Sequence, residues 1–198
     1  MIQRPTLVIF LKEPRPGRVK TRLGRDIGHV AAAWWFRHTV ARLIRKLRAD
    51  PRWRLVLAVA PDREGMASRI WPRGLRRWPQ GAGDLGARMS RALRAMPPGP
   101  VAIIGADIPG IRAAHVARAF ALLGDRDVVL GPAPDGGYWL IGLRCSRLGM
   151  PATALQGVRW SSPHARMDTE ASLRPLRIGH ADLLADVDTL DDLRRLSP

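Results

Sequence analysis

The sequence predicts an α/β protein built on a mostly parallel sheet with helices on both faces. Two observations carry this. Short β-branched, apolar runs alternate with segments of helical period from the start of the chain to residue 143, and each run ends in a loop rich in Gly, Pro or Asp. With 198 residues, 46% of them hydrophobic, the chain is expected to bury the core of one domain spanning 1–198 without disulfides.

The elements follow in order. Leu7 to Leu11 reads as the first strand and Ala31 to Arg48 as a long amphipathic helix, with Arg42, Arg45 and Arg48 opposite Phe36, Val40, Leu43, Ile44 and Leu47. Leu55 to Ala60 is a second strand, and Leu75 to Pro79 a short third. Leu85 to Met96 is a helix closed by Pro97, Pro98, Gly99 and Pro100. Val101 to Gly105 is the best-defined buried strand, followed by a helix over Ala113 to Leu123. Strands at Val128 to Leu130 and Tyr138 to Leu143 come next, then helices at Pro163 to Leu173 and Thr189 to Leu196. This is a Rossmann-like sheet, in which ligands are expected at the carboxyl ends of the strands.

Composition narrows the function. The single cysteine, Cys145, excludes an intrachain disulfide and suits a reducing compartment. The apolar run Thr6 to Leu11 is too short for a membrane span or a signal-peptide core, so a cytoplasmic protein is expected. A formal net charge of +16 invites a nucleic-acid reading, but the arginines are scattered, asparagine is absent, and Ala, Gly and Pro are common, as in a GC-rich genome. No dedicated nucleic-acid partner is expected. Of 33 basic residues only Lys12, Lys20 and Lys46 are lysines, and two of these share one short loop.

That loop, Lys12 to Leu23, directly follows the first strand and carries five cationic side chains with Pro14, Pro16 and Gly17. Its amides and charges suit phosphate, with Lys12, Pro14, Gly17, Lys20, Thr21 and Arg22 as nucleotide-binding candidates, although it is neither a Walker A loop nor a GxGxxG fingerprint. An ordinary basic surface loop is the alternative. Gly105 to Gly110 closes the buried strand, and Asp107 at its tip is placed to hold Mg²⁺ or Mn²⁺, or else to cap the next helix. Gly131 to Trp139 joins two strands; Asp135, Gly136, Gly137 and Tyr138 are substrate-binding candidates together with Trp160, while Asp-Gly-Gly is also a hairpin signal. Gln80, Gly81 and Asp84 precede a helix whose N-terminus favours negative charge, with Asp84 as a plain N-cap the competing account. In the acidic run Asp186 to Asp192, Asp188 is a second metal candidate, and Thr189 with Asp192 reads as a capping box variant.

In this order the segments Phe10 to Leu23, with its K-x-P-x-P-G-x-x-K-T-R-L pattern, Gln80 to Met89, Gly105 to Gly110, Gly131 to Leu143 and Asp186 to Leu193 resemble those of the DUF2064 family of GT-A-type proteins. That family is grouped with nucleotide-diphospho-sugar transferases, and some members are labelled arsenosugar-biosynthesis glycosyltransferases. The resemblance spans nearly the whole chain. It implies a GT-A nucleotide-diphospho-sugar transferase fold, nucleotide held by the Lys12 to Arg22 loop, and metal on Asp107. Asp188 stands where sugar nucleotidyltransferases have the first aspartate of D-T-P-E-D-L, although here the proline is replaced by Leu190. The G-G-x-S-x-R-M-G loop of those enzymes is absent.

The reading reached is glycosyl transfer from a nucleotide-diphospho-sugar to a small acceptor, with metal on Asp107 and Lys20 or Arg22 adding positive charge. Nucleotidyl transfer releasing pyrophosphate is the second reading, and a non-catalytic binding protein with a basic surface the third. No catalytic base or nucleophilic arrangement stands out, and the sequence gives no oligomeric state.

Overall fold

A computed structural model describes residues 3–195. Seven strands form one sheet: β1 (Thr6–Lys12), β2 (Arg54–Ala60), β3 (Arg76–Pro79), β4 (Val101–Gly105), β5 (Val128–Pro132), β6 (Tyr138–Leu143) and β7 (Ile178–His180). Their order across the sheet is β3-β2-β1-β4-β6-β5-β7. All pairings are parallel except those of β6, which runs antiparallel to both β4 and β5.

The exception follows from the chain. Ala133 to Gly137 is too short for a crossover, so β5 and β6 must form a hairpin, and β6 enters the sheet reversed. The Asp-Gly-Gly signal therefore has its structural reading: the Gly137 N–H donates to Asp135 Oδ1 at 2.9 Å and the Ala133 N–H to the Gly137 carbonyl at 3.0 Å.

Alternation along β1 divides the core. Leu7, Ile9 and Leu11 face a cluster with Phe36, Val40 and Ile44 of α2 (His29–Arg48) and Val116 of α5 (Ala113–Leu122). Val8 turns to the other face with Met89 and Leu93 of α4 (Leu85–Ala95). These side chains are almost wholly removed from water, which contributes about 1.5–3 kcal/mol for each large aliphatic residue. The exposed arginine face of α2 is as expected.

Three elements were not anticipated. α1 (Thr21–Ile27) turns the end of the basic loop into helix, so Thr21, Arg22 and Leu23 lie in its first turn. α3 (Asp62–Ala67) follows β2, and β7 adds an edge strand. The last two helices, α6 (Ala165–Ser172) and α7 (Leu190–Arg195), match expectation, although Leu196, the predicted end of α7, lies outside the described residues. Among the described residues, no helix is long and apolar enough to cross a membrane.

Candidate active site

The chain diverges between β1 and β4: from β1 the sheet grows one way through β2 and β3, and from β4 the other way. At such a switch point the loops after the two strands separate and leave a crevice. The loop after β1 ends at Lys20, which has a left-handed backbone (φ 46°, ψ 49°) and precedes α1. The loop after β4 carries Asp107, and the segment before α7 brings Asp186 and Asp188 to the same place.

Lys20 Nζ lies 2.6 Å from Asp107 Oδ2 and 2.6 Å from Asp188 Oδ1, and its side chain is only 4% exposed. Burial by itself would lower the Lys20 pKa, but attraction and hydrogen bonding to Asp107 and Asp188 outweigh it, and the pKa is raised. Arg22 Nη1 reaches Asp188 Oδ2 at 3.2 Å from the solvent side. Oxygen atoms of Asp107, Asp186 and Asp188 all lie within 4.8 Å of one another. Asp186 is pushed up to about 6, first by burial and then by the charge of Asp188, with Lys20 opposing. Three carboxylates against one buried ammonium leave excess negative charge, and an all-oxygen donor set is the kind taken by hard divalent cations.

Local structure holds Asp188. The backbone N–H groups of Asp188 and Thr189 donate to Asp192 Oδ2 at 3.1 and 2.9 Å, and the Asp192 N–H returns to Thr189 Oγ1 at 3.3 Å. The expected capping arrangement is present even though proline is missing. The Leu190 N–H donates to Asp26 Oδ2 at 3.2 Å, tying this segment to α1.

Two cavities meet over the carboxylates. The larger, about 900 Å³, has a cationic wall of Lys12, Arg18, Lys20, Arg22 and Arg88. Lys12 and Arg18 form no ion pair among the described residues, so their charge faces the cavity uncompensated. The smaller, about 240 Å³, is walled by Phe10, Met89, Tyr138, Ile141 and Trp160, with Asp107, Asp135 and Asp186 at the border it shares with the first.

The structure sorts the residues expected from sequence. Lys12, Lys20, Thr21, Arg22, Asp107, Asp188 and Trp160 line the larger cavity; Asp135, Gly137 and Tyr138 line the smaller, where Tyr138 packs edge-on to Trp160 at 6.4 Å. Pro14 and Gly17 shape the turn without lining either. Gly136 lines neither cavity; its φ is +84°, and a Cβ there would stand 2.1 Å from the Pro163 carbonyl oxygen.

Gln80 reaches the larger cavity, but its side-chain amide is used on the carbonyls of Leu11 (3.2 Å) and Ala58 (2.9 Å), holding the ends of β1 and β2 together. The Gly81 N–H donates to Asp62 Oδ1 at 3.0 Å, and the residue faces a separate cleft. Asp84 is the N-cap of α4, accepting from the Ala87 N–H at 2.8 Å, and lines neither of these two cavities. Asp107 caps no helix, since Arg112 occupies the N-cap of α5. Sequence reasoning did not single out Asp186, Arg18 or Arg88. For Asp186 the signal was its spacing of two from Asp188 in a segment without helical hydrogen bonds, which permits both to face one way.

A crystal structure of a candidate nucleotide-diphospho-sugar transferase from Desulfovibrio desulfuricans G20 superimposes with a TM-score of 0.85 at 30% identity, covering 98% of this chain and 87% of that one. Rv0371c from Mycobacterium tuberculosis H37Rv, crystallised with manganese, is similar at a TM-score of 0.56 and 19% identity, covering 98% of each chain. A nucleotidyl transferase from Methanothermobacter thermautotrophicus (Mth528) gives 0.60 and 15%, covering 98% of this chain and 95% of that one. The last two establish likeness of fold, which is that of the GT-A-type nucleotide-diphospho-sugar and nucleotidyl transferases. No curated protein matches the chain. Residues 43–162 match the family described as an uncharacterized protein conserved in bacteria (DUF2064). With more than half of the chain matched, and a relative of 30% identity aligned over nearly all of it, this protein belongs to the DUF2064 family.

Proposed function

We propose that the protein is a metal-dependent transferase that takes a nucleotide-diphospho-sugar as glycosyl donor and passes the sugar to a small acceptor. The observation that carries this reading is the meeting of an oxygen-donor triad, Asp107, Asp186 and Asp188, with a cationic cavity on one side and an aromatic cavity on the other. The likeness to the Desulfovibrio protein supports the donor class, and the manganese in Rv0371c supports the metal.

Asp107, Asp186 and Asp188 would hold Mg²⁺ or Mn²⁺, which when bound supplies neutralisation of the charge that builds on a departing diphosphate. Lys12, Arg18, Arg22 and Arg88 bind and orient the phosphates from the facing wall, adding positive charge where the leaving group becomes more negative. Tyr138 and Trp160 offer ring faces and edges to the body of the acceptor or the transferred sugar, beside the carboxylate of Asp135. Tyr138 serves as a wall: burial pushes its pKa above the ordinary tyrosine value, and its hydroxyl accepts a hydrogen bond from the Thr169 hydroxyl at 3.3 Å.

The test is product identity. Wild-type protein incubated with nucleotide-sugars and nucleoside triphosphates, each with Mn²⁺ or with EDTA, should release nucleoside diphosphate from a nucleotide-sugar in Mn²⁺ alone. Pyrophosphate released from a triphosphate would instead assign nucleotidyl transfer. Turnover that persists in EDTA would contradict both metal-dependent readings.

A further inference from the structure

Lys20 is placed unusually for a residue expected to hold phosphate. Its ammonium is almost wholly buried and lies between Asp107 and Asp188, at 2.6 Å from an oxygen of each. Those same carboxylates form two thirds of the oxygen triad. A divalent ion held at about 2.0–2.6 Å by these same two oxygens, Asp107 Oδ2 and Asp188 Oδ1, would stand where the ammonium now lies, so the two cations compete for them.

We propose that Lys20 is a tethered stand-in cation: it neutralises the aspartates until a divalent metal displaces it, and the released ammonium swings into the diphosphate cavity. The inference rests on the metal reading given above. Three features of Lys20 support it. The side chain is 4% exposed yet also lines the larger cavity, so its flexible four-carbon stem starts beside both the carboxylates and the space a diphosphate would fill. Its backbone is left-handed, a conformation that a non-glycine residue keeps only where the surroundings over-determine it, and here the two ion pairs supply that constraint. The residue is also a lysine in a chain with three lysines among 33 basic residues. A guanidinium presents a planar fork, whereas a compact point charge fits between two carboxylates in the manner of a metal ion.

The consequence is ordered coupling. Metal alone must break two ion pairs and leave an ammonium without partners, whereas metal with diphosphate gives that ammonium a new anion. Diphosphate therefore favours metal binding beyond any direct metal–phosphate contact.

Because Lys12 and Lys46 are the only other lysines, amine labelling read by peptide mass spectrometry resolves Lys20 in the wild-type protein. Lys20 should be protected in EDTA, become reactive in Mn²⁺, and regain protection when inorganic pyrophosphate is added to the Mn²⁺ sample, with Lys46 reactive throughout. In parallel, Lys20→Gln should bind Mn²⁺ alone at least about tenfold more tightly than wild type, since the competing charge is gone. Lys20 protected equally in EDTA and Mn²⁺ although Mn²⁺ binds, or equal or weaker Mn²⁺ affinity in Lys20→Gln, would overturn the inference and leave the metal site standing. Absence of Mn²⁺ binding in both proteins would overturn the metal reading and this inference with it.

Discussion

Gly86 is pressed against Leu155: a β-carbon at Gly86 would stand 2.2 Å from the Leu155 carbonyl oxygen and 2.9 Å from Cζ2 of Trp160. α4 can approach the segment that carries Trp160 only because its first turn has no side chain there, and a backbone oxygen cannot rotate aside as a flexible side chain could. Gly86→Ala should therefore cost about 1–3 kcal/mol of stability despite its better helix propensity. Each kcal/mol is worth about 2–4 °C in a domain of this size, so a thermal melt reads the effect. An unchanged or raised melting temperature would show that the α4 contact is looser than described.

The segment that carries Trp160 is also held by charge. Asp168 accepts from the Arg159 backbone N–H at 3.1 Å and from its guanidinium at 2.8 Å through each oxygen, and these bonds hold its pKa at about 2, below the ordinary 3.8. A depressed carboxylate stabilises the fold at pH values above its unfolded pKa, and that contribution disappears as pH falls through the folded value. The melting-temperature difference between wild type and Asp168→Asn should thus be constant from neutrality to about pH 5 and shrink between about pH 4 and pH 2. A difference that grew with acid would reverse the assignment.

Arg18 faces the larger cavity, is exposed, and forms no ion pair among the described residues. Arg18→Ala should weaken binding of a nucleoside diphosphate by about three- to tenfold, less than the loss of a buried charge-assisted bond would give, because water and salt screen the site. The affinity lost should be smaller at high ionic strength. Calorimetric titration at two salt concentrations checks both expectations.

Much of this architecture was legible because burial writes a simple pattern. β1 and β4 are continuous apolar runs buried on both faces, and α2 repeats its apolar residues at the helical period, so composition and spacing were enough. α1 was hidden by its content: seven residues with a glycine in the middle, only Leu23 and Gly24 buried, and no side-chain cap at Lys20. β7 is three residues long, too short for alternation to register.

At the site, Asp107 was legible from its place after a buried strand, whereas the contact of Lys20 with Asp188 joins residues 168 apart, a proximity that only the tertiary fold creates. Asp84 went the other way. Its position before a helix fitted both ligand and cap, and its side chain accepts the Ala87 N–H as an N-cap does.

In the proposed function, Asp107, Asp186 and Asp188 bind nucleotide ligands through a divalent metal. Thermal shift of wild type and Asp107→Asn with nucleotide-sugars and nucleoside diphosphates, each in Mn²⁺ or EDTA, separates metal-mediated binding from binding by the basic residues alone. A ligand at a hundredfold over its dissociation constant should add about 2.7 kcal/mol to the wild type in Mn²⁺, and little in EDTA or in the variant. A shift of equal size in EDTA, or one retained in full by Asp107→Asn, would contradict the account.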